Sequence, residues 1–271
     1  MRQNLFDISE KVIVMTGATG VLGSCAAEYL AEQEAIVILL GRNQNTGLAL
    51  EEKIRANGGR AKFFACDVLD EDGLKAVRDT IVAQFGTVDV LINAAGGNIP
   101  GATIAPNQSF LDINTADFDD VVRLNLTGTL IPTKLFAEVM TQKGVGCILN
   151  FSSIASFRPL TRVCGYASAK AAINSFTQFL ATEMASKYGE KIRVNAIAPG
   201  FFLTEQNRSL LTNADGSYTD RAKAIIRQTP FARFGTPEEL CGCIHYLISD
   251  ASKFVTGTVA LVDGGFNAYA I

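Results

Sequence analysis

Apolar and polar positions follow two rhythms along the chain. Short continuous apolar runs, such as AIVILL and DVLIN, recur between longer segments whose apolar residues return every three or four positions. Continuous runs fit strands buried on both faces, and the spaced pattern fits helices with one buried stripe. Strands are expected at 12–16, 35–40, 62–66, 88–93, 146–151, 192–197 and 258–262. Helices are expected near 22–33, 45–57, 71–85, 116–142, 166–188 and 237–249. Strict alternation of the two argues for a seven-stranded, doubly wound parallel sheet with helices on both faces. No repeat or linker divides residues 1–271, so a single domain is expected. Two longer irregular stretches, 96–114 and 199–235, follow predicted strands and should overhang the carboxyl edge of the sheet, where open α/β sheets bind ligands.

Composition narrows the partners. Hydrophobic residues make up 48% of the chain, enough for a sizeable core. With 24 basic against 27 acidic residues, a net charge of −3 and no long charge run, nothing recruits nucleic acid or an anionic membrane. No apolar run reaches the roughly 18 residues that span a bilayer. The opening MRQNLFDISEK is acidic where a signal peptide would be apolar. A cytoplasmic protein is therefore expected. The cysteines at 25, 66, 147, 164, 241 and 243 lack CxxC spacing and, with His245 as the one histidine, build no zinc set. No metal is expected, and His245, in the apolar run CGCIHYLIS, reads as a satisfied, partly buried side chain.

The stretch TGATGVLG stands between the first predicted strand and the first predicted helix. Gly17, Gly20 and Gly23 there fit a tight turn or a phosphate cradle. Inside a βαβ unit the cradle is favoured, because backbone N–H groups and the helix dipole would face a pyrophosphate. Thr19, Val21 and Leu22 belong to the same loop. The second strand ends in Gly41-Arg42, with no carboxylate to accept a bond from an adenosine ribose hydroxyl. Arg42 could pair with a 2′-phosphate and so favours NADP(H), or it is ordinary surface. Asp67, followed by Val68, could bond the adenine amino group or simply form a turn. Asn93, Ala94, Ala95 and Gly96 read as backbone passing close to a cofactor ribose.

The chemistry concentrates in NFSSIASFRPLTRVCGYASAK. Tyr166 and Lys170 are four apart at the start of a predicted helix and share a face. A free phenol, with its pKa near 10, is a poor base at neutral pH. An adjacent ammonium favours the phenolate, letting tyrosine give or take a proton. Ser153, closing the fifth predicted strand, could bond the same substrate oxygen. Cys164 lies two residues before Tyr166, where modification could block activity.

Taken in order, the glycine loop 16–23, NAAGG, Asn125 in LNLTG, Ser153, YASAK, PGFFLT and VDGG resemble the motifs of the single-domain short-chain dehydrogenases/reductases over nearly the whole chain. The resemblance implies a Rossmann fold, an NAD(P)(H) cofactor and a homotetramer formed through the helices at 116–142 and 166–188. It implies Tyr166 as general acid/base and Ser153 as the group that orients the substrate. Lys170 would lower the tyrosine pKa and hold the nicotinamide ribose, and Asn125 would anchor a relay water. Pro199, Gly200, Phe202 and Thr204 would line the nicotinamide and its phosphate. One departure is the middle glycine, which stands at Gly20 where the single-domain pattern puts it at position 21.

The loops GGNIPGAT and PGFFLTEQNRSLL are similar to those of a sugar-acid branch, that of the D-mannonate oxidoreductases (fructuronate reductases) and gluconate 5-dehydrogenases. That branch implies NAD, against the NADP suggested by Arg42. A sugar acid needs cations for its carboxylate and hydrogen-bonding groups for its hydroxyls. Asn98, Arg158, Arg162, Gln206 and Arg208 are candidates of the right type, while Phe157, Phe201 and Phe202 bring apolar surface to the same region. The rival readings are an epimerase or dehydratase, or a nucleotide-sensing protein on the same fold.

Overall fold

The computed structural model describes residues 4–105, 107–203, 208 and 211–270. Seven parallel strands form one sheet in the order β3-β2-β1-β4-β5-β6-β7. They are β1 (Val12–Thr16), β2 (Ile36–Gly41), β3 (Arg60–Ala65), β4 (Val90–Asn93), β5 (Gly146–Phe151), β6 (Ile192–Pro199) and β7 (Val259–Val262). Every expected strand forms, with ends displaced by up to two residues. The order reverses direction at β1, which pairs with both β2 and β4 and puts its carboxyl end at the switch point.

Successive residues of a strand point to opposite faces, and β1 distributes its side chains accordingly. Ile13 and Met15 pack with α1 (Val21–Glu32), α2 (Gln44–Ala56) and α8 (Cys241–Ile248). Val12 and Val14 pack with α3 (Glu71–Phe85), α5 (Gly128–Lys143) and α6 (Cys164–Tyr188). The sheet is thus covered on both faces, which is why its strands carry no polar alternation.

Two expectations change. The helix expected over 116–142 is α4 (Thr115–Val122) and α5 joined by a π-helical turn, Arg123–Thr127. The stretch 199–235 contains a further helix, α7 (Asp220–Gln228), capped by the Thr219 side chain accepting from Ala222 N. Its buried side is only Ala222 and Ile225, too narrow a stripe to stand out among polar neighbours. His245 is 8% exposed, bonded through Nδ1 to the Tyr29 hydroxyl at 3.0 Å and through Nε2 to Phe6 O at 2.6 Å. It ties the N-terminal segment to α1 and α8, far from the catalytic residues in sequence.

Candidate active site

At the carboxyl edge of β1, β4, β5 and β6 lies a cleft of about 320 Å³. One wall is the glycine loop, Gly17 and Gly20 to Gly23, and the other carries Ser153, Tyr166 and Lys170.

The loop has the shape of a phosphate cradle. Gly17 has φ +65°, and a Cβ there would stand 2.6 Å from the Ala94 carbonyl carbon. A Cβ at Gly23 would overlap the Gly17 carbonyl oxygen. Gly20 is the N-cap of α1 and offers no side-chain cap. Side chains of Asn43, Asp70 and Asn114 cap α2, α3 and α4 instead. The first N–H groups of α1 are therefore left for an anion. The displaced glycine, Gly20, is the N-cap, and Val21 begins the helix and lines the cleft.

The remaining candidates flank this cradle. Arg42 is exposed directly after β2, and a Cβ on neighbouring Gly41 would lie 3.2 Å from Thr19 Oγ1. Asp67 accepts from Leu69 N at 2.9 Å, and Val68 is buried against the Gly128 position of α5. Ala94 and Gly96 line the cleft, and Ala95 N donates to Thr16 Oγ1 at 3.2 Å. The Asn93 side chain does not reach the cleft. It is 1% exposed and donates to Thr133 Oγ1 at 2.8 Å and Asn150 Oδ1 at 2.9 Å, a cross-strand bond between register partners of β4 and β5. Its side chain therefore joins the sheet to α5. Pro199, Gly200 and Phe202 form the cleft floor, and Gly200 N donates to Val262 O at 2.9 Å. Thr204 and Gln206 lie outside the described residues.

Lys170, 4% exposed, donates from Nζ to Phe151 O at 2.7 Å, and its ammonium lies 5.6 Å from the centre of the Tyr166 ring. Burial shifts the pair in opposite directions. It raises the Tyr166 phenol above its usual value, opposed by a hydrogen bond with the Ser153 side chain. It lowers the Lys170 ammonium to about 7. On the tyrosine, burial outweighs the Ser153 hydrogen bond. The Ser153 hydroxyl, 7% exposed, also accepts from Ala155 N at 3.1 Å, which fixes it at the start of a short 3-10 turn.

Asn125 sits inside the π-helical turn and is wholly buried. Its Nδ2 donates to Gly97 O at 2.7 Å and Val121 O at 2.8 Å, and its Oδ1 accepts from Gly97 N at 3.1 Å. The side chain is fully committed to holding the backbone beside Lys170. A relay water would have to meet the main-chain carbonyl of Asn125, which already accepts from Thr129 Oγ1 at 2.8 Å.

Of the substrate candidates, Asn98 is exposed and bonds Thr103 Oγ1 at 2.6 Å within its own loop. Arg162, with φ +78°, donates from Nε to Ile104 O at 2.6 Å and accepts at its carbonyl from Ile104 N at 2.9 Å. It joins the segment before α6 to the 96–114 stretch. Arg158 is held against Phe266, and Arg208 is exposed. Cys164 opens α6 but is not among the cleft-lining residues. Sequence reasoning missed the supporting network behind Ser153, in which Ser152 Oγ donates to Asn174 Oδ1 and Asn174 Nδ2 donates to Ser156 Oγ. The signal was the polar SS pair closing an otherwise apolar strand.

Comparison with known proteins adds four likenesses. Residues 17–267 match the family model described as enoyl-(acyl carrier protein) reductase. An uncharacterised oxidoreductase of Haemophilus influenzae is 43% identical, with 97% of this chain and 95% of that one covered. A solved structure from Haemophilus influenza, provisionally assigned as a D-mannonate oxidoreductase and holding NAD, superposes with a TM-score of 0.92 at 43% identity over 97% of each chain. A gluconate 5-dehydrogenase from Burkholderia cenocepacia in complex with NADP and tartrate gives a TM-score of 0.86 at 30% identity over 98% of each chain.

Proposed function

The chain belongs to the short-chain dehydrogenase/reductase family, and from that premise we propose that it is an NAD(P)-dependent oxidoreductase interconverting a ketone and a secondary alcohol on a sugar acid. D-fructuronate/D-mannonate is the first choice of substrate pair. The observation that carries the reading is the meeting of Ser153, Tyr166 and Lys170 in one cleft with an uncapped helix N-terminus on its opposite wall.

The cofactor, when bound, supplies or accepts the hydride. Tyr166 holds the proton at its phenol oxygen, gives it to the substrate oxygen in reduction and takes it in oxidation. Ser153 shares a hydrogen bond with that phenol and orients the same substrate oxygen. Lys170, anchored on Phe151 O, favours the phenolate when it carries its proton. Asn125 fixes the Gly97 backbone against which the cofactor ribose would lie. Gly41 and Arg42 support NADP(H), whereas the similar chain holding NAD supports NAD(H). The likeness to a gluconate 5-dehydrogenase favours 5-ketogluconate as a second reading of the substrate.

The test is a panel of fructuronate, tagaturonate and 5-ketogluconate, each with NADH and NADPH, followed by loss of absorbance. Fructuronate turnover is expected, and Tyr166→Phe should lower kcat by about 10²-fold or more. Silence across the panel from protein that still binds NAD(P)H would reject the sugar acid.

A further inference from the structure

Beyond Phe201, which forms part of the cleft wall, lies a second recess of about 330 Å³. Arg158, Thr161, Arg221 and Gln228 line it among apolar residues that include Leu160 and Ile225, and no carboxylate of a described residue lines it. Arg221 is exposed at the rim, on α7, and makes no hydrogen bond or ion pair with any described residue. Both desolvation and the like charge of Arg162 push its pKa down, and no described residue compensates the cation. Arg158 is pre-positioned. Its Nη1 donates to Phe266 O at 2.8 Å and to Tyr269 O at 3.4 Å, and its guanidinium lies 5.1 Å from the centre of the Phe266 ring. Its Nε and Nη2 make no bond with a described residue. Phe266 in turn meets Phe201 edge-on at 5.1 Å, which fixes the partition between recess and cleft.

Two guanidiniums without a carboxylate partner among the described residues, set at one largely apolar recess, call for an anion with a carbon chain attached. We propose that this recess binds the carboxylate of the substrate, with Arg221 and Arg158 as its specificity-determining residues and Phe201 as the apolar surface that the carbon chain crosses. The inference rests on the sugar-acid reading above and adds to it the place of the charge. Tyr166 and Ser153 hold the reacting oxygen at one end, and the arginines hold the carboxylate at the other. An uncharged ketose would lose the second anchor.

Two measurements test it. In steady-state reduction, Arg221→Ala should raise KM for the sugar-acid ketone by roughly tenfold or more with kcat nearly kept, as expected for the loss of a charge-assisted bond. The preference for that ketone over the matching uncharged ketose should fall by a similar factor, and Arg221→Lys should restore part of it. An equal loss on both substrates, or none on the acid, overturns the proposal. In calorimetry, D-mannonate and tartrate should each bind the wild-type protein, and Arg221→Ala or Arg158→Ala should weaken that binding about tenfold. Tartrate binding that depends on Arg221 in a protein silent toward sugar acids would keep the anion recess and reject the substrate. Wild-type protein that binds neither anion, or variants that bind both unchanged, overturns the recess itself.

Discussion

Tyr166 and Lys170 show how burial sets the acid and the base within one turn of helix. Both charged forms lose water, so the free protein favours phenol and amine, with the lysine near 7 and the tyrosine above its usual range. The sign for activity follows. Alcohol oxidation needs the phenolate, so its kcat/KM should rise with pH on the alkaline side, while ketone reduction needs the phenol and should fall there. The Ser153 hydrogen bond lowers the tyrosine. Ser153→Ala should therefore slow both directions and move the alkaline limb of the oxidation profile upward by roughly half to one pH unit. A limb that stays in place would assign that titration to another group. Arg42 gives a second residue-scale prediction. If its exposed guanidinium after β2 meets a 2′-phosphate, Arg42→Ala should lower kcat/KM with NADPH about tenfold and leave NADH nearly unaffected. Equal losses with the two cofactors would mean that Arg42 supports the loop itself.

The joint between α4 and α5 is the element on which the site depends. A π-helical turn inserts one extra residue into a helix and is common at functional sites. Here it turns Asn125 inward, where the amide closes three hydrogen bonds on Gly97 and Val121. Asn125→Ala would orphan the buried Val121 carbonyl and the partly buried Gly97 groups, so a loss of about 1–3 kcal/mol in stability is expected together with a large loss of turnover. Chemical denaturation and kinetics on the same sample would check both. Asn125→Asp should not rescue, because a carboxylate cannot donate to the carbonyls of Gly97 and Val121. Unchanged stability in either variant would remove the structural role of the turn. The strands were legible because each is a continuous apolar run, and the glycine loop because its flanks are unambiguous. Ser153, Tyr166 and Lys170 were legible because a strand end and one helical turn bring them together. The π turn was not, since a single extra residue leaves the apolar rhythm of 116–142 intact. Nor was Arg221, whose place beside Arg158 comes from a loop fold and a helix with a narrow apolar stripe. The NAAGG motif speaks only to a backbone path, so the bond of the Asn93 amide to Asn150 came from the parallel register rather than from the motif.

At the scale of the molecule, the exposed apolar residues say what the sheet and helices leave uncovered. Among the described residues no helix is long and apolar enough to cross a membrane. Yet Leu130 on α5 is 46% exposed and Phe179 on α6 is 64% exposed. A separate face is formed near β7, where Phe254 is fully exposed and Leu261 is 38% exposed. β7 is an end strand, paired only with β6, so its other edge is also unpaired. Large apolar side chains and an open strand edge invite covering by another chain. Two independent self-complementary faces on one chain generate a tetramer of dihedral symmetry, whereas one face would stop at a dimer. We therefore expect a homotetramer of the 29.0 kDa chain in light scattering at micromolar concentration. Phe179→Glu should remove the helix-face contact and leave dimers, Phe254→Glu should do the same at the sheet edge, and the double variant should be monomeric with unchanged far-ultraviolet circular dichroism. A wild-type monomer would remove both faces as interfaces. A tetramer that survives both substitutions would place its contacts elsewhere. Because α6 carries both Phe179 and the Tyr166–Lys170 pair, the dimer left by Phe179→Glu should also show lower turnover. In that case, covering the outer face of α6 would be part of what holds the catalytic turn in place.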